Sequence, residues 1–210
     1  SPLVYANNTF SIDFDDLGRK AADPKVKVML LCNPHNPAGR VWTREELTRI
    51  GEICIRNGVT VVAYEILCEL TLSGYIYTPF ASISEEFLAH SITCLSPSKA
   101  FNIAGLQIAN IVCADDVVRA KIDRSINDNE VCDVNPFGVV ATQAAYNESE
   151  EWLKQLLDYL SQNYSCMRDF CKMYLPEFPI TVLEGTYLVW MDCSKFGNSS
   201  EELEHQLVNE

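Results

Sequence analysis

The sequence is poor in basic residues, and this shortage limits the partners that the chain can have. Sixteen lysines and arginines stand against 29 aspartates and glutamates in 210 residues, which gives a formal net charge of -13. Nucleic acids and anionic membranes are bound through basic patches. Neither a run of about 18 apolar residues nor a basic segment followed by an apolar leader is present. We therefore expect no nucleic-acid partner, no membrane association and no secretion.

Patterns for metals and nucleotides are also missing. The three histidines are scattered along the chain, and none of the nine cysteines belongs to a CxxC pair or a Cys/His cluster. No metal site is therefore predicted. The absence of GxGxxG and GxxxxGK[ST] argues against a nucleotide-binding domain. An odd number of cysteines without a pairing pattern is typical of reduced, mostly buried thiols, so the sequence indicates a cytoplasmic protein.

What the chain does contain is an alternation of strand and helix patterns. Hydrophobic residues make up 48% of the sequence, which is enough for a packed core. Apolar runs predict strands at 26–31, 59–64, 91–95 and about 107–113. A helix begins after Thr43, because Thr43 and Glu46 form a capping-box pattern, and it ends at Asn57-Gly58. This order predicts an α/β fold, a mostly parallel sheet with helices on both faces.

The last third of the chain is predicted to leave this sheet. Further helices are predicted at 15–22, 115–127, about 137–147, 150–174 and 199–210, and a strand at 184–192. The abrupt start and the small last unit suggest an internal fragment of a longer chain. We expect three parts, which are part of a large domain at 1–148, a connecting helix at 149–174, and a truncated, smaller α+β domain at 175–210.

Chemically active side chains follow three of the predicted strands. Segment 33–39 follows the first, Tyr64 ends the second, and Ser96, Ser98 and Lys99 follow the third. The carboxyl ends of parallel strands meet at one edge of a sheet, where α/β proteins bind ligands. A lysine there is either a solvated charge or a desolvated amine that forms a Schiff base with a carbonyl or with pyridoxal 5'-phosphate, PLP. The meeting of three such loops favours the Schiff base.

Two segments resemble a known family. Cys32-Asn-Pro-His-Asn-Pro-Ala-Gly39 and Ser96-Pro-Ser-Lys-Ala-Phe-Asn-Ile-Ala-Gly-Leu106 are similar to fold-type I PLP enzymes of the class I/II aminotransferase superfamily, most closely its cystathionine β-lyase or C–S lyase branch. The resemblance implies PLP as cofactor, a small amino acid as substrate and a homodimer. It implies that Lys99 forms the Schiff base and moves the α-proton, and that Asn36 binds the phenolic oxygen of the cofactor. Ser96 and Ser98 would contact its phosphate, or would cap the loop and the next turn instead.

Tyr64 and Leu67 depart from the family pattern. The family has an aspartate at the position of Tyr64, which keeps the pyridine nitrogen of PLP protonated, and a tyrosine or histidine at that of Leu67. A tyrosine is neutral below about pH 10. Glu65 is no ready substitute, because neighbours on a strand point to opposite faces. We still count Tyr64 among the cofactor-site residues. By the resemblance, the glycine-bearing phosphate loop, the aromatic residue that stacks on the cofactor and the substrate-binding arginine lie outside these 210 residues.

Three functions remain open on the sequence. The resemblance implies a PLP-dependent β-lyase that cleaves the C–S bond of cystathionine or cysteine-like amino acids to pyruvate, ammonia and a thiol. A PLP-dependent aminotransferase shares the first steps, and only the lyase-like form of the motifs separates the two. A non-catalytic member or fragment of the same fold is the third, and Tyr64 and Leu67 are its support.

Overall fold

The computed structural model describes residues 1–197 and 199–209, and its fold is α/β. In this part of the chain, six strands form two sheets. One is a hairpin of β1 (Leu3–Ala6) and β2 (Thr9–Ile12). The other has the order β3 (Val28–Cys32), β4 (Thr60–Tyr64), β5 (Ser91–Leu95) and β6 (Asn110–Cys113). Strands β3, β4 and β5 are parallel and β6 is antiparallel, which confirms the mostly parallel α/β class.

The helices follow the predicted order with small shifts of their ends. They are α1 (Phe14–Ala21), α2 (Arg44–Arg56), α3 (Glu85–Ala89), α4 (Asp116–Asp128), α5 (Pro136–Glu148), α6 (Glu150–Tyr174) and α7 (Ser200–Asn209). Helix α3 was not expected from the sequence. The helix predicted at 199–210 corresponds to α7, and its last predicted residue, Glu210, lies outside the described residues. No helix in the described residues is both long enough and apolar enough to cross a membrane.

Helix α2 begins as its sequence predicts. The Thr43 hydroxyl accepts a hydrogen bond from the Glu46 backbone N–H at 3.2 Å, and the Glu46 carboxylate accepts one from the Thr43 N–H at 2.8 Å. These two bonds satisfy N–H groups that a helix start leaves without partners. The cap fixes the residue at which the loop after β3 ends and helix α2 begins, and so it helps to position that loop.

The main core lies between one face of the four-stranded sheet and helices α1 to α3. Its central side chains have almost no exposed surface: Trp42, Leu47, Ile50, Cys54, Val61, Ala63 and Phe80. Burying each large apolar side chain of this kind stabilises the fold by about 1.5–3 kcal/mol. The opposite face carries large side chains that are partly open to solvent, and Leu30 is 77% exposed there.

The prediction of a strand at 184–192 is wrong. This segment has only two isolated bridges, Thr71 with Gly185 and Ile180 with Met191. The N–H groups of Glu184 and Gly185 instead both donate to the carbonyl of Gly39, at 2.8 and 3.1 Å. The segment contains the apolar run 187–191 and is partly buried, so the strand-like pattern records burial without a ladder.

Candidate active site

The carboxyl ends of β3, β4 and β5 meet at one edge of the sheet. In the ladder Cys32 pairs with Tyr64, and Tyr64 pairs with Cys94, so the ends are level with one another. Because β6 is antiparallel, its first residue also lies at this edge, where Asn110 pairs with Leu95. The loops that carry the predicted site residues therefore start from one edge, as expected from the parallel order.

The loop after β3 is fixed by a buried asparagine. The Asn33 side chain, fully shielded from solvent, donates to the carbonyl of Thr78 at 3.2 Å and accepts from the N–H of Trp42 at 3.1 Å. The Trp42 indole in turn donates to the carbonyl of Cys32 at 2.9 Å. These bonds hold the loop while the Asn36 side chain stays exposed at the edge. Asn36 thus presents a carboxamide from a rigid support.

A buried guanidinium ties this loop to three other segments. Arg40 donates to the Glu184 carboxylate at 2.9 Å and to the Glu46 carboxylate at 3.0 Å, and it also bonds the carbonyl of Phe10. The same Glu184 oxygen accepts from the N–H of Val41 at 2.8 Å. One charged cluster therefore holds together four segments, which are the β1–β2 hairpin, the loop after β3, helix α2 and the 184–192 segment.

Tyr64 ends β4 and is 39% exposed at the edge. Glu65, the next residue, is only 1% exposed. Its carboxylate accepts from the N–H of Phe80 at 2.9 Å and from the hydroxyl of Tyr77. Burial raises the pKa of Glu65. Leu67 is buried against Leu70 and does not line the edge.

The two serines after β5 have different environments. Ser96 is buried, and its Oγ lies 2.6 Å from the carbonyl of Ile108 and 2.7 Å from the Oγ of Ser98. A hydroxyl has one hydrogen, so the Ser96 hydroxyl that donates to Ile108 is left to accept from Ser98. The N–H of Ser98 also bonds Ser96, at 3.1 Å. Ser96 is committed to the loop, whereas Ser98 is only partly buried.

Lys99 stands exposed on the turn that follows. Within residues 1–197 and 199–209, its amine has no hydrogen-bond or ion-pair partner. The turn itself is anchored, because Ala100 is completely buried against Leu67 and Leu70, and because Phe101 N–H donates to Pro97 at 3.0 Å. A free amine is thus presented on a fixed turn.

The electrostatics of the edge are set by thiols and phenols. Burial raises the pKa of Tyr64, and the neighbouring Cys32, Tyr187 and Cys94 raise it further when ionised. Burial also raises the pKa values of Cys32 and Cys94. These three side chains are therefore uncharged at neutral pH.

Sequence reasoning assigned no role to Asn33, Arg40, Glu65 or Glu184. Only Glu65 had a signal that could have been used, since a carboxylate inside an apolar strand end must find partners in the interior. Arg40 and Glu184 are separated by 144 residues, and no local pattern marks a pair so far apart. The roles predicted for Asn36, Tyr64, Ser96, Ser98 and Lys99 stay predictions.

Comparison with known proteins defines the class. The family described as aminotransferase class I and II matches residues 2–210, and the chain belongs to it. Cystathionine β-lyase PatB of Bacillus subtilis (strain 168) is 42% identical over 208 residues, which are 99% of this chain and 54% of that protein. The chain therefore spans about half the length of the relatives that it matches.

Solved structures agree with this class. Cystalysin from Treponema denticola, whose structure contains PLP, matches this chain with a TM-score of 0.96 at 31% identity. The match covers 99% of this chain and 52% of the cystalysin chain. The PLP-bound C–S lyase of Staphylococcus hominis matches this chain with a TM-score of 0.86 at 38% identity. The match covers 97% of this chain and 50% of the lyase chain. The family is one of PLP-dependent lyases and aminotransferases.

The donor set at the edge fits PLP. The cofactor needs an amine for its aldehyde, hydrogen-bond donors for its phosphate and phenolic oxygen, and a partner for its ring nitrogen. Lys99, Ser98, Asn36 and Tyr64 offer an amine, a hydroxyl, a carboxamide and a phenol from the same edge. Only the phenol differs from the acidic or basic partner that ring nitrogens usually have.

Proposed function

We propose that this chain forms part of the PLP site of a C–S β-lyase that acts on cystathionine or related cysteine-like amino acids. The observation that carries the proposal is the position of Lys99, on an anchored turn at the edge from which the loops of Asn36 and Ser98 also start. An amine without an ion-pair partner is free to react with an aldehyde. Its relatives among the cystathionine β-lyases and C–S lyases support the choice of reaction.

Lys99 has two roles in this proposal. Its amine attaches the aldehyde of the cofactor, and once substrate displaces it, the same amine removes the proton from the substrate α-carbon. When bound, PLP supplies an electron sink for the charge that remains on that carbon. The buried Ala100 next to Lys99 anchors the turn that carries the amine.

Ser98 and Ser96 share the phosphate end unequally. Ser98 has the hydroxyl that can turn to a phosphate oxygen, because it is less buried and Ser96 already donates to Ile108 at 2.6 Å. Ser96 then holds Ser98 through the hydrogen bond that its Oγ accepts from the Ser98 backbone N–H at 3.1 Å. Of the two serines that the sequence singled out, Ser98 binds the phosphate and Ser96 positions it.

Asn36 donates its amide hydrogen to the phenolic oxygen of the cofactor. The carboxamide can do this because Asn33 and Arg40 fix the loop on both sides of it. A hydrogen bond to this oxygen favours its ionised form, because it stabilises the negative charge there.

The complete protein, in this proposal, is a homodimer that takes a small amino acid. The chain provides the lysine, while the other groups that hold the substrate come from outside these 210 residues. All nine cysteines are free thiols, which is the state expected in a reducing compartment such as the cytoplasm.

The experiment adds PLP to the purified 210-residue chain and records its absorbance. We expect a visible band of lysine-bound cofactor that Lys99→Ala abolishes, while Lys121→Ala, at an exposed position of helix α4, leaves it unchanged. For a complete protein that contains this chain, pyruvate release from cystathionine identifies a lyase. Keto-acid-dependent exchange of the amino group identifies an aminotransferase instead.

A non-catalytic member of the family is the second candidate. It is favoured by Leu67, which is buried in the core and offers no polar group to the edge, and by the phenol of Tyr64. Absence of any lysine-dependent band in the chain would support this candidate and refute the lyase proposal for it.

A further inference from the structure

Three side chains form a row across the carboxyl edge of the sheet. Cys32, Tyr64 and Cys94 are direct partners in the parallel ladder, so their side chains lie next to one another on the same face. Tyr64 is in the middle, between the strand that leads to Asn36 and the strand that leads to Lys99. The row therefore borders the place where the proposed cofactor ring would lie between those two residues.

The row carries no charge at neutral pH. The titratable groups that act on Tyr64 within the described part of the chain are Cys32 on β3, Cys94 on β5 and Tyr187 in the 184–192 segment, and none is a carboxylate. Burial raises the pKa values of Cys32, Tyr64 and Cys94, which keeps all three protonated. Each of these side chains can donate a hydrogen bond.

The nearest carboxylate in the sequence is committed elsewhere. Glu65 points to the opposite face, where it accepts hydrogen bonds from Phe80 and Tyr77 and is 1% exposed. Releasing it would leave the Phe80 N–H and the Tyr77 hydroxyl without their acceptor, which is costly. The side chain of Tyr64 is thus the group at the end of β4 that is available to a ring nitrogen.

A ring nitrogen keeps its proton only when its surroundings favour the charged form. A carboxylate does so through its opposite charge, whereas a neutral hydroxyl brings no charge and favours the protonated nitrogen much less. A hydroxyl that donates a hydrogen bond needs a lone pair on its partner, and a protonated pyridine nitrogen has none. A phenol that acts as the donor therefore pairs with the unprotonated ring.

We propose that Tyr64 donates its hydroxyl hydrogen to the ring nitrogen of the cofactor, so that this chain binds PLP with an unprotonated, uncharged ring nitrogen. The proposal rests on the proposed function, because it requires that Lys99 hold PLP. It makes Tyr64 a cofactor-binding residue that tunes the electron sink, and it predicts a weaker sink than a carboxylate partner would give.

The test uses the 210-residue chain loaded with PLP that carries ¹⁵N at the ring nitrogen. We expect the NMR shift of an unprotonated pyridine at neutral pH in the unsubstituted chain. Tyr64→Asp should move this shift to that of a pyridinium ion. Tyr64→Phe should leave the nitrogen unprotonated and weaken PLP binding about two- to tenfold, the affinity that one neutral hydrogen bond supplies. Tyr159→Phe, an exposed tyrosine of α6, should change neither.

The outcomes separate this inference from the function on which it rests. If no lysine-dependent band forms in the unsubstituted chain, both fail. If the band forms but the ring nitrogen is protonated, the inference alone fails. It also fails if Tyr64→Phe binds PLP as tightly as the unsubstituted chain, or if a folded, PLP-loaded Tyr64→Asp keeps an unprotonated ring. If the aspartate variant does not fold, the unsubstituted chain and Tyr64→Phe together still decide whether the inference holds.

Discussion

Replacing Arg40 by methionine tests whether one buried cluster holds the loop of Asn36 in place. Arg40 has a side-chain exposure of 10%, and its partners Glu184 and Glu46 have 14% and 22%. Methionine keeps the length and the apolar contacts of the stem but removes the charge and its donors. The two carboxylates are then left partly buried and close to each other without their cation.

The expected cost follows from this geometry. Removing one partner of a buried ion pair costs about 3–5 kcal/mol. The lower end applies here, because Glu184 keeps its bond to the Val41 N–H and Glu46 keeps its bond to the Thr43 N–H. The contact of the guanidinium with the Trp42 ring, 4.7 Å from its centroid, adds about 0.5–1 kcal/mol. We therefore expect Arg40→Met to lower the free energy of unfolding by about 3–4 kcal/mol.

Urea unfolding followed by circular dichroism measures this loss, and Arg19→Met is the matched control. Arg19 pairs with Asp16 on the surface of α1 with a side-chain exposure of 72%, so its removal should leave the urea midpoint nearly unchanged. If Arg40→Met shifts the midpoint no more than Arg19→Met does, the cluster does not hold the loop. Glu184→Gln combined with Arg40→Met should cost less than the sum of the two single changes, because the two groups interact directly.

Three further changes test single features of the fold. Gly185→Ala would place a Cβ 2.8 Å from Val41 Cγ2 and should lower the free energy of unfolding, measured by urea titration, by about 1–3 kcal/mol. Gly18→Ala, in an open helical position, should raise it by about 0.5–1 kcal/mol. Equal effects of the two changes would contradict the close packing at Gly185. Thr43→Ala should cost about 1 kcal/mol by the same measurement through the lost cap, and no loss would contradict that role. Burial raises the pKa of Glu65, so its contribution to stability is full below the unfolded pKa of about 4.3 and is lost as pH rises through the folded pKa. Urea midpoints of Glu65→Gln should therefore fall less with rising pH, and an unchanged pH dependence would refute this.

The sequence was sufficient for the features that local patterns encode. The capping box of Thr43 and Glu46 defines the start of α2. Short, mainly apolar runs mark β4 and β5, because those strands lie in the interior of the sheet. The rule that parallel strands end at one edge was enough to predict that Tyr64 and the loops of Asn36 and Lys99 start from the same edge. It needs only the order of elements, which periodicity supplies.

Long-range contacts could not be predicted in this way. The pairing of Arg40 with Glu184 depends on how the 184–192 segment crosses the loop after β3, and nothing within either segment records the other. The segment was predicted to be a strand because a partly buried segment has the same kind of apolar run as a strand. The direction of β6 was likewise open, since a strand of four residues has no signal for its orientation.

The most direct test of the proposed function is to find which amine holds PLP. The 210-residue chain is incubated with PLP, the Schiff base is reduced with borohydride so that the cofactor becomes fixed, and the modified peptide is identified by mass spectrometry. We predict one modified residue, Lys99, and loss of the modification in Lys99→Ala. Labelling spread over exposed lysines such as Lys121, or an unmodified Lys99, would contradict the proposal.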